Sequence, residues 1–303
     1  MPENGNKISY GALYIALASM LWGLDGVVLT PRLSGIPVFL VVFILHLIPF
    51  LMMNLFWHGK YNRLRRLDTQ GWISLLLVSI FGGAVGTWAI VKALFLVQFE
   101  QLSVVVLLQK FQPVFALVIA WLFLKEKLSG YFLFWAAIAL TAGYFLTFGW
   151  QLPHFSADNR TFQAALLSLF AALSFGSSTV FSKHLLSRVD YTTGTFFRYG
   201  MTSLLLLPVV LGMGYYKMVY DISPAQWGII LLIALTTGSG AILLYYYGLR
   251  SVKASVSTVM ELMFPVTAVV LDYLVNGNML SPVQWVSAFI MLYAIYRISR
   301  NGQ

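Results

Sequence analysis

Long apolar runs alternate with short polar breaks along this chain, and the runs have the length of bilayer crossings. Ten runs stand out, at about 8–30, 36–57, 72–95, 102–124, 130–148, 162–184, 191–214, 225–247, 253–275 and 281–299. Roughly 20 apolar residues in helical conformation cross a hydrocarbon core, so each run predicts one spanning helix. The longest polar stretches, His58–Gly71 and Gly149–Thr161, are too short to form a soluble domain. The first run starts at Ile8 behind a single cation, Lys7, and has no small-x-small cleavage site. It therefore reads as a helix rather than a removable leader. The expected fold class is an all-α membrane protein with ten transmembrane helices.

Composition supports lipid as the solvent. Of 303 residues, 59% are hydrophobic and 10% charged, against about 25% charged in a soluble domain. The net charge of +9 raises the question of nucleic acid, but the placement of the cations answers it. The amino terminus, the even-numbered loops and the carboxyl terminus hold 13 of the 19 Lys and Arg: Lys7, Lys60, Arg63, Arg65, Arg66, Lys125, Lys127, Lys183, Arg188, Arg250, Lys253, Arg297 and Arg300. The odd-numbered loops hold three (Arg32, Arg160 and Lys217), and three more (Lys92, Lys110 and Arg198) lie inside runs. Cytoplasmic loops retain cations. Both termini are thus expected in the cytoplasm of a multi-pass inner or plasma membrane protein, and nucleic acid is not needed as a partner. With no cysteine, disulfides and thiolate metal sites are excluded.

The two halves resemble each other. Shifted by 152 residues, Ser103–Ser129 falls on Ser255–Ser281 with 9 identities in 27 positions, Pro113 on Pro265 among them. Leu21-Trp22-Gly23 faces Ser174-Phe175-Gly176 at an offset of 153. Five helices is an odd number, so a second copy enters the membrane inverted. The loop charges follow: Lys125 and Lys127 flank one turn, while the matching turn at Asn276-Gly277-Asn278 has none. The expected domains are repeats at 1–152 and 153–303. Inverted repeats recur in secondary transporters, which rock between two mirror-related states.

Several motifs point to a known superfamily. These are Trp22-Gly23, the run Leu108-Gln109-Lys110-Phe111-Gln112-Pro113-Val114-Phe115 leading into Trp121–Leu128, and Tyr245-Tyr246-Tyr247-Gly248-Leu249 followed by Ala254-Ser255-Val256 and Pro265-Val266. In this order they resemble the drug/metabolite transporter superfamily, in its ten-helix EamA-type branch, over essentially the whole chain. The resemblance implies a basket-like bundle with a central cavity lined by the first, third, fourth, sixth, eighth and ninth helices, and usually metabolite export. Lys110 and Glu261 are not general features of that superfamily.

Polar residues inside the runs are the candidate site. Pro113 and Pro265 each remove a backbone donor and free the carbonyl four residues earlier, those of Gln109 and Glu261. Both prolines fall near mid-depth, where irregular backbone is tolerated beside cavities, so they are the candidate hinges. Lys110 and Glu261 each lie about 12 Å into the membrane from opposite sides, at levels about 6 Å apart in a ~30 Å core. That is within reach of pairing. Intramembrane charges are costly and usually functional or paired. Ser257 and Thr258 extend the Glu261 stripe. Asp25, His46, Gln109, Trp22 and Tyr245 complete the set of substrate-binding or coupling candidates, with Trp88, Phe111, Tyr246 and Tyr247 as further aromatic walls. Arg198 and Lys92 are expected to snorkel to the two interfaces. Ala139 and Gly143 form a small-xxx-small pair suited to close packing or a homodimer.

Walker, His-Glu-x-x-His and Gly-x-Ser-x-Gly motifs are all missing. No enzyme activity, metal or cofactor is therefore expected. The expected function is a secondary transporter, most simply an exporter, of a small polar or amphipathic metabolite, with amino acids and related compounds the leading class. It would work by alternating access, with protons as one coupling partner. A phosphorylated or lipid-linked substrate and a non-transporting scaffold or sensor are the two alternatives.

Overall fold

The computed structural model describes residues 10–97, 105, 108–152, 159–277 and 279–301. Among them every regular element is helical and no strand occurs. Eight helices are long and apolar enough to cross a membrane. They are α1 (Tyr10–Leu33), α2 (Val38–Leu64), α3 (Thr69–Leu96), α5 (Gly130–Phe148), α6 (Asn159–Leu186), α7 (Tyr191–Gly212), α8 (Pro224–Leu249) and α9 (Ala254–Val275). Two further helices complete the described chain, the shorter apolar α4 (Gln112–Phe123) and α10 (Pro282–Asn301), whose apolar run is broken by Gln284, Ser287 and Arg297. The protein is a multi-pass membrane protein. The start of the expected fourth run, Asn278 and both chain termini lie outside the described residues.

The polar stretch after α2 is shorter as a loop than its sequence suggests. Helix continues through a 3-10 turn at His58–Lys60 to Leu64, and Asp68 then caps α3 by accepting from the Gly71 N–H at 2.9 Å. Asp190 does the same for α7 through the Thr193 N–H at 3.0 Å. An N-cap oxygen satisfies one of the orphan donors at a helix start.

Helices pair as α2 with α7, α5 with α10, α1 with α8 and α9, and α6 with α3 and α4. Glycines set several of these contacts, two of them in equivalent positions. A Cβ on Gly23 of α1 would lie 3.0 Å from the Phe264 carbonyl and 3.2 Å from the Ala268 nitrogen of α9. On Gly176 of α6 it would lie 2.9 Å from both the Gln112 carbonyl and the Ala116 nitrogen of α4. The Trp22-Gly23 and Phe175-Gly176 pairs therefore do the same work, letting one backbone lie directly on another.

Three helices contain π turns, at Asp25–Leu29 in α1, Ser79–Val85 in α3 and Ala234–Gly238 in α8. Such bulges frequently mark functional stretches. The sequence reading did not foresee them.

At the α2–α3 end of the bundle the turns are tied together. Lys60 and Arg63 both reach Asp190, Lys60 at 3.1 Å, and Arg188 meets Asp68 at 3.1 Å. Glu126, after α4, accepts from the Ala254 and Ser255 N–H groups at 2.8 and 3.0 Å, capping α9. Lys183 of α6 donates to the Leu249 and Arg250 carbonyls at the end of α8, at 2.9 and 3.0 Å.

Candidate functional site

The two prolines do not kink continuous helices; each stands in the first turn of a new one. Leu108 and Gln109 are helical, Lys110 and Phe111 form a turn, and α4 starts at Gln112 with Pro113 next. In α9, helix stops at Met260, Glu261 and Leu262 form a turn, and helix resumes at Met263 just before Pro265. Proline suits the start of a helix because the N–H it lacks would have no partner there. The Glu261 carbonyl, which has no donor at Pro265, accepts instead from the Phe264 N–H at 3.0 Å. Gln109 and Glu261 each stand four residues before their proline, Gln109 as the last helical residue before its turn and Glu261 as the first residue of the turn.

Around Glu261 the break collects a cluster of neutral donors. The Tyr245 hydroxyl donates to Oε1 at 2.7 Å, with Ser257 at 3.3 Å and Thr179 at 3.4 Å from the same oxygen. The Gln112 amide donates to Oε2. Thr179 and Ser257 also lie 3.0 and 3.2 Å from the Tyr245 hydroxyl. Four helices thus converge on one carboxylate: α4, α6, α8 and α9. Trp22 of α1 closes the group with its ring 5.3 Å from that of Tyr245. Glu261, Gln112 and Trp22 each keep part of their surface uncovered. Polar surface inside a membrane domain is tolerated beside a hollow rather than beside lipid chains.

Lys110 is not part of this cluster. Its ammonium donates to the Gly143 carbonyl and the Thr147 hydroxyl of α5. The expected ion pair with Glu261 is not formed, because the two breaks turn their side chains towards different helices, Lys110 to α5 and Glu261 to α6 and α8. The Ala139–Gly143 face is likewise used inside the chain: Ala139 is wholly buried, and Gly143 faces Met291 and the Lys110 stem. Thr258 is buried with its hydroxyl lacking a hydrogen-bond partner among the described residues, so only Ser257 of that stripe serves Glu261.

A second polar group lies between α2, α3, α7 and α8. Arg198, expected to snorkel to the cytoplasmic interface, is instead 7% exposed, because the polar backbone of the α3 π turn meets it inside the bundle. Its guanidinium donates to the Gly82 carbonyl at 2.8 Å and to the Tyr246 hydroxyl at 3.1 Å. Ser182 lies 2.9 Å from the same Tyr246 hydroxyl. His46 is buried, its Nδ1 2.7 Å from the Val42 carbonyl and its ring 5.0 Å from Tyr199. Asp25 sits in the α1 π turn, where it accepts from Thr30 at 3.0 Å. Other aromatic candidates are elsewhere: Trp88 stacks on Phe39 at 5.3 Å, and Tyr247 packs against Arg250 at 4.1 Å. Phe111 is 44% exposed, and Lys92 is also exposed.

Gln112, Thr179 and Gly82 were missed by sequence reasoning. Gln112 adjoins a proline already singled out, Thr179 lies one helical turn beyond Gly176, and Gly82-Gly83 is a glycine pair inside an apolar run. Each was a readable sign of close approach. Among the described residues no group of His, Asp and Glu is arranged to hold a metal ion.

Comparison with known proteins now fixes the class. A solved crystal structure matches with a TM-score of 0.70 over 97% of this chain and 98% of its own, at 13% identity, which speaks to the fold. The riboflavin transporter ImpX of Fusobacterium nucleatum subsp. nucleatum (strain ATCC 23726 / VPI 4351) is 48% identical over 96% of this chain and 97% of its own length. The uncharacterized transporter YwfM of Bacillus subtilis (strain 168) is 26% identical over 95% and 93% respectively. The EamA-like transporter family matches at residues 9–149 and again at 162–300. These relatives are transporters, not enzymes. A buried polar site within a bundle of membrane-crossing helices agrees with them: the chain belongs to the EamA-like transporter family.

Proposed function

We propose that this chain transports riboflavin or a closely related flavin across the cell membrane by alternating access, with Glu261 at the centre of the binding site. The observation that carries the reading is the 48% identity, over nearly the full length, to a riboflavin transporter. The site chemistry suits such a solute. Trp22 and Tyr245 offer aromatic faces to a flat ring system, and Glu261, Gln112, Thr179 and Ser257 offer hydrogen bonds to a polyhydroxyl chain.

Ten crossings in two inverted repeats, 1–152 and 153–303, with both termini cytoplasmic, are part of this reading. The family match to each half supports it. So do the equivalent contacts of Gly23 on α9 and Gly176 on α4, which involve residues 152 apart in sequence. The broken segments at Pro113 and Pro265 serve as the hinges, and Gln109 takes the place of Glu261 in the other repeat. Asp25, His46 and Lys110 are held to shape the cavity. Glu261 is the group that would exchange a proton if transport is coupled to one; exchange of solute alone is the other mode. Export, the direction the resemblance implies, is the expected direction of flux.

Amino acids, the class favoured from buried charges alone, are the second reading. Flavin fluorescence separates the two. Purified protein in nanodiscs is expected to quench added riboflavin saturably, with a mixture of amino acids failing to relieve the quenching. Absence of riboflavin quenching, together with a saturable rise in the protein's thermal midpoint on adding amino acids, would reverse the assignment.

A further inference from the structure

Arg198 is a buried cation that forms no ion pair with a carboxylate among the described residues. The ion pairs among the described residues are Lys60 and Arg63 with Asp190 and Arg188 with Asp68, all at one end of the bundle. Among the described residues the hydrogen-bond partners of Arg198 are neutral oxygens, the Gly82 carbonyl and the Tyr246 hydroxyl, with the Tyr246 ring 5.6 Å from its Cζ. A guanidinium has five N–H donors in one plane, and these contacts occupy two of them. The backbone has been cleared to admit it. A Cβ at Gly82 would stand 2.9 Å from Nη2 and 2.1 Å from the Ser178 hydroxyl. An intramembrane charge left without a counterpart is costly and is normally retained for function.

The two buried polar groups are joined by consecutive tyrosines. The Tyr246 hydroxyl touches Arg198, the Tyr245 hydroxyl touches Glu261, and the rings are 6.0 Å apart. One end of this seam therefore donates only, and the other holds a carboxylate that accepts. A flavin has the complementary polarity: an electronegative pyrimidine-dione edge at one end of its ring and a chain of hydroxyl donors on the central ring. Resting on the substrate reading above, we propose that Arg198 is the specificity residue that receives the dione edge, leaving the ribityl chain to the Glu261 cluster. A planar fork of donors matches the adjacent N1 and C2-carbonyl acceptors of that ring better than a point ammonium does.

The test uses flavin binding to the full chain in nanodiscs, with thermal midpoints measured on the same preparations. Three probes are compared: riboflavin, lumiflavin (the same ring without the ribityl chain) and 2-thioriboflavin, in which sulfur weakens the C2 acceptor. Wild type is expected to bind 2-thioriboflavin about tenfold more weakly than riboflavin, the size of one hydrogen bond to a charged group. Arg198→Gln should lose about tenfold for riboflavin and for lumiflavin and should no longer distinguish the thio compound. Arg198→Lys, which keeps the charge, should fall between the two. Equal loss for riboflavin and 2-thioriboflavin on Arg198→Gln would make the residue structural and overturn the proposal. Equal affinity of wild type for both compounds would do the same even if no variant folds. If wild type binds none of the three flavins, the substrate reading itself fails, and this proposal with it.

Discussion

At the scale of single residues, the separation of Lys110 from Glu261 has a direct thermodynamic consequence. Breaking a buried ion pair strands a charge at roughly 3–5 kcal/mol, most of which the double mutant recovers. Here each residue has its own partners, so Lys110→Met and Glu261→Gln should destabilise additively, within about 0.5 kcal/mol. Thermal midpoints of the two single mutants and the double mutant decide; recovery in the double mutant would show that the pair forms after all. Asp190 gives a second expectation. Burial alone would raise its carboxyl, but hydrogen bonds from Thr192, Thr193 and Lys60 outweigh this and hold it well below the ordinary carboxylate range. The sign follows: its stabilisation is present above the unfolded value of about 4 and is lost as pH falls below it. Asp190→Ala should thus lower stability by about 1 kcal/mol at neutral pH, typical for a lost cap, and the gap to wild type should narrow under acid. A gap that does not change with pH would mean the carboxylate is not ionically engaged. The sequence made Glu261, Trp22 and Tyr245 legible because charge and aromatics at depth are conspicuous. It left Arg198 misplaced, since its burial depends on a π turn in another helix, and no local pattern encodes that.

At the scale of elements, the broken helices explain why a polar site can exist in so apolar a chain. A turn at Glu261–Leu262 ends one short helix and lets its last residues face inward, while the helix beginning at Met263 runs on independently. The short helix, Ala254–Met260, is held at one end by Glu126 and leads at the other into the Glu261 cluster. Glu126→Ala should cost about 1–2 kcal/mol, as lost caps do, and should speed hydrogen exchange at residues 254–257 before the rest of α9. Exchange that quickens evenly along α9 would argue against an independently held segment. The two prolines were legible as interruptions, but not as helix starts: proline marks where a hydrogen bond is missing, and the tertiary surroundings decide whether the helix bends or begins again. The polar stretch after α2 read as loop because composition does not distinguish an exposed helical turn from coil.

For the whole molecule, hydropathy was the strongest signal, and eight crossings follow from length and apolarity alone. The remaining two segments are weaker because α4 starts at a break and α10 carries polar residues along its length. The absence of native cysteine makes side-specific labelling clean. A single cysteine at Gly59 should react only from the cytoplasm and one at Tyr220, 92% exposed, only from outside. Reaction of both from one face would remove the inverted topology. Transport of a flavin is the central claim, and counterflow tests it most directly. Proteoliposomes preloaded with unlabelled riboflavin should accumulate radiolabelled riboflavin transiently above equilibrium, which binding alone cannot produce, and Glu261→Ala should abolish the overshoot. No overshoot with wild-type protein that remains folded and saturably binds other solutes would contradict the account.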